Sequence, residues 1–222
     1  MLNRKRFIQQ AAMSAGAMLA GPSIMESASY FNPLKITILH TNDTHSRLEP
    51  FPMDGSRNQG LGGIASRGKL ISKIRNEEEN VLLLDAGDIF QGTPYFNIYK
   101  GEPEIKAMTS LGYDATTIGN HDFDAGMESL ATQLTRHANF PMLVCNYDFT
   151  GTAMENKTQP YKIFKKQKLK IGVFGIGIEP KGLIPENLFG VMKYLDPVQS
   201  ANEVADQLKR KEGCDMVICL SH

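Results

Sequence analysis

Apolar residues in this chain gather in short runs, and the spacing within each run changes along the sequence. Residues 35–40 (KITILH) are rich in β-branched side chains and predict a first strand, ending in Thr41-Asn42-Asp43-Thr44-His45. Pro50, Pro52 and several glycines make residues 49–63 a long loop. Residues 64–75 place apolar side chains at 64, 70, 71 and 74, the spacing of an amphipathic helix, and Glu77, Glu78 and Glu79 follow as a solvated connection. The continuous run Val81-Leu82-Leu83-Leu84 fits a strand covered on both faces, as in a parallel sheet, and it leads into Asp85-Ala86-Gly87-Asp88. Residues 90–103, with Phe90, Tyr95, Phe96 and Tyr99, read as another loop. Residues 104–111 read as a helix closed by Gly112.

The second half continues the alternation. Residues 114–118 form a third strand that reaches Gly119-Asn120-His121-Asp122-Phe123-Asp124, where Gly119 is expected to bend the chain. A helix over 127–137 and a strand over 142–145, ending at Asn146, come next. Residues 161–164 and 170–176 pair as a hairpin around the polar turn 165–168. A helix over 197–211 takes Asp196 as its N-cap, and 216–220 is the last strand. No internal repeat, low-complexity segment or heptad is present.

Strands alternating with helices predict an α/β architecture around a largely parallel sheet. In such sheets ligands bind outside the carboxyl ends of the strands. Asp43, His45, Asp88, Asn120, His121 and His222 all lie just past such ends. They are therefore expected to project from the same edge of one sheet, although up to 179 residues separate them.

Composition narrows the class. With 222 residues and 41% hydrophobic content, the chain can bury one substantial core. Its formal net charge is zero, and −2 once the first thirty residues, which carry Arg4, Lys5 and Arg6 against Glu26, are set aside. That balance offers no basic face for nucleic acid. Cys145, Cys214 and Cys219 form neither a disulfide framework nor a C-x-x-C zinc motif, and Cys214 and Cys219 are expected to be buried thiols. Residues 1–30 carry a basic start, a short small-residue apolar stretch and small residues near Ala20 and Ala28, the pattern of a signal peptide. The run Arg4-Lys5-Arg6-Phe7-Ile8 resembles a relaxed twin-arginine signal, with Lys5 in place of the second arginine. The apolar stretch is too short to span a bilayer. Export to a periplasmic or extracellular site is the expectation.

Taken singly, the polar residues have ordinary explanations. His45 or His222 reads as a polar loop histidine, Asp88 as a turn residue, and Asn120 as a helix cap. Their joint order at strand ends points instead to chemistry. Carboxylate, imidazole and amide oxygen together suit a divalent metal such as Zn²⁺ or Mn²⁺ without cysteine ligands. Two such ions roughly 3.5–4 Å apart clamp a phosphoryl group and acidify a bound water. His40, alternating with the strand core, and His137, near a helix end, read as structural. Gly175-x-Gly177 is half a dinucleotide fingerprint and lacks the helix glycine that completes it.

The ordered set Asp43-x-His45, Gly87-Asp88 and Gly119-Asn120-His121-Asp122 resembles the calcineurin-like metallophosphoesterase superfamily. The stretches HTNDTH (40–45), GLGGIASR (60–67), LDAGDIFQGTP and IGNHDFD (118–124) are similar to its 5′-nucleotidase / UDP-sugar hydrolase branch over about 35–222. The resemblance implies a four-layer α/β/β/α sandwich, here incomplete on its C-terminal side, and two divalent ions (Zn, Mn, Mg or Co). It implies hydrolysis of phosphate esters, 5′-nucleotides or related nucleotide sugars, by a monomer, using a metal-bound hydroxide. Asp43 and His45 would ligate the first ion, Asp88 would bridge, and Asn120 and His222 would ligate the second. His121 would be the catalytic imidazole, with Asp124, three residues on along a helical turn, as its orienting partner. Asn120, His121 and Arg47 would touch substrate. Asn42 and Asn146 are candidate loop-fixing amides, and Asp122 is expected to be a loop or capping carboxylate. The family pattern also includes a later G-H-x-H-type loop and a nucleobase-binding domain that these 222 residues do not contain, so Met216 to Leu220 is expected to lack its sheet neighbours. Two further readings follow: a non-catalytic remnant, and a cyclic-nucleotide phosphodiesterase of the same superfamily.

Overall fold

In the protein's structure, a computed structural model, residues 34–222 are described. The signal-peptide reading of residues 1–30 lies outside them. Strand β1 (Thr37–Thr41) pairs in parallel with β2 (Val81–Asp85), Thr37 opposite Val81 and Thr41 opposite Asp85. The sheet continues through β3 (Ala115–Thr116) and β4 (Met142–Leu143) to β6 (Thr158–Gln159), every pair parallel. The small antiparallel pair β5 (Tyr147–Asp148) and β9 (Lys193–Tyr194) stands apart.

A second sheet corrects the single-sheet expectation. The hairpin β7 (Tyr161–Lys166) and β8 (Leu169–Ile176) forms as the sequence suggests, and β10 (Met216–Ser221) then pairs in parallel with β8 along its whole length. Met216 to Leu220 therefore does not lack sheet neighbours: one edge is fully paired. His222 reaches the site from this second sheet, while the other candidate residues come from the first.

Three apolar layers hold the sheets and helices together. On β2, Leu82 and Leu84 face Ile171, Val173 and Leu220 of the second sheet, while Leu83 faces the helices. Those helices are α1 (Ile64–Glu77), α3 (Glu102–Leu111) and α4 (Met127–His137), which contribute Ile71, Ile105, Met108, Leu130 and Leu134. Beyond the second sheet, Phe174 packs on Leu208 and Cys214, beside α6 (Pro197–Asp206). Helix, sheet, sheet, helix is the four-layer order the resemblance implies. Five fully buried residues in a row on β2 bear out its reading as a strand covered on both faces.

Smaller differences have local causes. The expected loop 90–103 contains a helix, α2 (Pro94–Tyr99), because Pro94 sits at a first helical position and Phe96 turns into the core, stacked on Phe90 at 5.4 Å. Strands 114–118 and 142–145 narrow to two paired residues each as the chain leaves the ladder toward the site. The helix from 197 closes as a π turn over Gln207–Lys211, which lets Leu208 reach the second sheet. Helix α1 leaves Leu70 exposed and buries only Ile71 fully. Cys214 is buried, but Cys219 is exposed, since β10 is an edge strand among the described residues and its outer side lines an open cleft. Asp196 caps α6 as expected, accepting from the Gln199 amide at 2.8 Å. Gly112 closes α3 in the left-handed region, and Arg75 donates to the carbonyls of Leu111 and Gly112 there.

Candidate metal centre and active site

The site is built by laying one strand-end loop on another. The amides of Asp43, His45 and Ser46 donate to the carbonyls of Gly87, Asp88 and Ile89 at 3.0, 3.1 and 2.8 Å, so residues 43–46 ride on 87–89 as a short ladder. Achieving this places Asp43, His45, Ser46 and Asp88 at positive φ, between 44° and 55°. Non-glycine residues visit that region rarely and at a cost in conformational energy, and clusters of such residues occur at functional sites.

The third loop is locked by Asp122. Its Oδ1 accepts from the amides of Ile89 (2.9 Å) and Phe90 (3.2 Å), and its Oδ2 from those of Asp88 (3.1 Å) and Gly119 (2.8 Å). Burial pushes this carboxyl up to about 7, against four donors that favour the ionised form. The reading of Asp122 as a loop carboxylate is borne out. Gly119, expected to bend the chain, has no left-handed φ; it is glycine because a Cβ there would lie 2.1 Å from Asp88 Oδ1 and 2.4 Å from its amide nitrogen.

Asp43, His45 and Asp88 converge, one ligand atom of each lying within 4.8 Å of the others. His45 Nε2 stands 3.6 Å from Asp43 Oδ1 and 3.7 Å from Asp88 Oδ2. Around a tetrahedral ion with bonds of about 2.1 Å, ligand atoms are about 3.4 Å apart, so these three fit one divalent cation. His222 brings its Nε2 to 3.3 Å from Asp88 Oδ2, and its Nδ1 lies 2.8 Å from the Ala86 carbonyl. His45 Nδ1 likewise faces the Phe90 carbonyl at 3.3 Å. Donation from Nδ1 to a backbone carbonyl fixes the tautomer that leaves Nε2 free for metal. Without a metal, the bond to Asp88 raises His222 to about 9. Burial of Asp88 works the other way, but His222 and the His121 amide, bound at 2.8 Å, hold its carboxyl below the usual range.

His121 stands at the start of a 3₁₀ turn (His121–Phe123), its ring 5.3 Å from that of His45. Its Nδ1 meets Asp124 Oδ2 at 2.9 Å, the pairing expected from the sequence spacing. Partial burial opposes protonation of His121, but Asp124, with Asp88 and Asp122 nearby, holds its pKa above the ordinary histidine value. Asn120 precedes this turn beside Gly119. Arg47 lies away from the ligand cluster: its guanidinium sits 4.3 Å over Phe51, and it lines a cavity of about 410 Å³ with Thr93, Tyr95 and Tyr99. Asn42 donates to Asp43. Asn146 is a buried loop-fixing amide, bonded at both ends to the Gly177 backbone. A cleft of about 700 Å³ opens between β1 and β10, with Asp43 and His222 on its wall.

Two features were not apparent in the sequence. Asp85, read only as the end of a strand, is buried and ties the tops of three strands, accepting from Thr41 (2.6 Å), Thr116 (3.0 Å) and the Gly87 amide (2.9 Å); burial raises its pKa. Gly175 lets the two sheets approach closely, since a Cβ there would lie 2.0 Å from the Leu143 carbonyl oxygen. A carboxylate between two threonine-bearing strand ends is the one signal that would have marked Asp85.

The profile described as calcineurin-like phosphoesterase matches residues 36–222. The 5′-nucleotidase of Bos taurus is 42% identical over 197 residues, covering 86% of this chain and 34% of its own length. That of Vibrio cholerae is 41% identical over 196 residues, covering 85% of this chain and 34% of its own. The solved 5′-nucleotidase precursor of Thermus thermophilus superposes with a TM-score of 0.75 at 32% identity, covering 84% of this chain and 37% of that one. The chain thus spans about a third of the length of the curated relatives it matches. No helix among the described residues is long and apolar enough to cross a membrane.

Proposed function

This chain belongs to the calcineurin-like phosphoesterase family, and from that premise we propose that it hydrolyses phosphate esters, 5′-nucleotides or related nucleotide sugars, with two divalent cations held by its own loops. The observation that carries the reading is the convergence of Asp43, His45 and Asp88, with His222 arriving from the other sheet and His121 beside them. On this reading Asp43 and His45 would hold one cation, Asn120 and His222 the second, and Asp88 would serve both. When bound, the cations supply positive charge for the phosphoryl oxygens and acidify water.

The remaining work falls to this chain's side chains. His121 keeps Nδ1 on Asp124 and presents Nε2 to the substrate side. The Asp124 carboxylate favours the protonated ring, and Nε2–H is then the proton donor to the leaving oxygen. Asp124 orients the ring and stabilises the imidazolium. Asn120 and His121 contact the phosphate, and Arg47 would have to swing from its place over Phe51 to reach the ester group. The sequence pattern of residues 1–30 supports action outside the cytoplasm, in the periplasm or beyond, and we read the protein as a monomer. A non-catalytic remnant would have no use for four loops arranged so closely, and relatives named 5′-nucleotidases lend no support to a cyclic-nucleotide substrate.

The test pairs two variants. Asp88→Ala should lose metal measured by titration calorimetry with Mn²⁺ or Zn²⁺, and lose phosphate release from AMP with it. His121→Ala should keep the metal and lose turnover by about 10²–10⁴-fold. Equal metal loss in both would overturn the division of roles. A wild-type chain that binds no divalent cation and releases no phosphate with any of them would overturn the function.

A further inference from the structure

Glu104 is a buried acid with no part in the chemistry above. It sits in the first turn of α3, 3% exposed, and its carboxyl meets the Ser46 hydroxyl, itself 1% exposed. The Ser46 hydroxyl also lies 2.8 Å from Thr93 Oγ1, and Thr93 Oγ1 donates to the Ser46 carbonyl at 3.0 Å. Ser46 follows His45 directly, and both are held at positive φ. Gly92, next to Thr93, closes the packing, because a Cβ there would lie 2.9 Å from the His45 carbonyl oxygen. Glu104 from α3 and Thr93 from the loop before α2 therefore grip Ser46, the residue that directly follows His45.

We propose that Glu104 is a positioning residue for the candidate metal site: by gripping Ser46 it holds the left-handed backbone at 45–46 that aims His45 Nε2 at Asp43 and Asp88. The proposal rests on the metal reading given above.

The hydrogens show how the grip works. Ser46 Oγ donates its proton to Glu104 Oε1, and the Thr93 hydroxyl, which donates to the Ser46 carbonyl, also lies against Ser46 Oγ. Burial raises the Glu104 pKa, and the Ser46 bond works against that rise. A glutamine Oε1 would accept from Ser46 in the same way, whereas alanine leaves the Ser46 hydroxyl without that acceptor.

That difference supplies the test, made on the full chain by calorimetric titration with Mn²⁺ and by amide hydrogen exchange. Glu104→Ala is expected to weaken metal binding by about tenfold or more, the usual effect of losing a group that orients a ligand, while Glu104→Gln stays within about threefold of wild type. In Glu104→Ala the His45 and Ser46 amides, bonded to Asp88 and Ile89, should exchange faster, and those of Leu83 and Leu84 should not. Met108→Ala, a core truncation on the same helix, controls for stability alone and should leave affinity unchanged. Should Glu104→Ala fail to fold, Ser46→Ala removes the gripped hydroxyl and should show the same loss. Unchanged affinity in Glu104→Ala, no rescue by glutamine, or an equal loss in Met108→Ala would each overturn the proposal. If the wild-type chain takes up no metal, the functional reading falls and takes this proposal with it; if it does and Glu104→Ala matches it, this proposal alone falls.

Discussion

Replacing Asp122 by asparagine, an isostere of nearly equal volume, should damage this protein as severely as a core deletion. Each carboxylate oxygen accepts two backbone amides, Oδ1 those of Ile89 and Phe90, Oδ2 those of Asp88 and Gly119. Asparagine keeps one oxygen and turns the other into an NH₂ donor. Whichever way the amide is flipped, two backbone N–H groups face a donor in a site where the side chain is 1% exposed. A stranded buried donor costs roughly 1–3 kcal/mol, so the pair costs about 2–6 kcal/mol. Total domain stabilities are about 5–15 kcal/mol, so the loss is a large share of the whole. Urea unfolding followed by circular dichroism, in EDTA so that bound metal does not mask the difference, measures it directly. An Asp122→Asn protein within about 1 kcal/mol of wild type, at unchanged m-value, would refute the claim that these four bonds hold the loops together.

Two further perturbations probe the same junction. Gly119→Ala puts a methyl 2.1 Å from Asp88 Oδ1, so it should cost about 1–3 kcal/mol or more and weaken metal binding, whereas Gly182→Ala, at a positive φ of 82° but with nothing within 4 Å, should leave metal binding unchanged; calorimetry on both decides. In metal-stripped protein, His222 has a folded pKa of about 9 against an ordinary 6.5, so the native state holds its proton longer than the unfolded chain. Its stabilisation is fully present below about 6.5 and lost as pH rises through about 9. The stability gap between wild type and His222→Ala should shrink over that window, and a constant gap from pH 6 to 10 would contradict it.

What the sequence revealed, and what it hid, divides along physical lines. Local patterns carried well: the run at 81–84, the helix Met127–His137, the caps Asp196 and Gly112, and the hairpin β7–β8 each depend on neighbours in the chain. The candidate ligands were legible because strand ends project loops to one side. Which sheet a strand joins was not legible, because β10 finds β8 across some forty residues and no local signal encodes that choice. Asp85 and Glu104 were hidden for a related reason. Their meaning lies in partners 31 to 58 residues away, and a lone acid in a strand or helix reads as an ordinary one. The short helix Pro94–Tyr99 was masked by its proline and glycine flanks, which resemble a loop until Phe96 has a core to enter.

The derivation of the site from two sheets also sets an order in time. Asp43, His45, Asp88, Asn120 and His121 all belong to the first 121 residues, and β1, β2 and β3 can bring them together while the rest of the chain is still being synthesised. His222 is joined to Ala86 across 136 residues and arrives only when β10 has settled beside β8. Contacts of such long sequence separation form late, since the loop they close costs the most entropy. A nascent chain emerging from the ribosome would thus carry one half of its ion-binding apparatus well before the other. Pairing of β10 with β8 is therefore the step that completes the candidate ligand set, and His222 on Ala86 reports that the two halves have met.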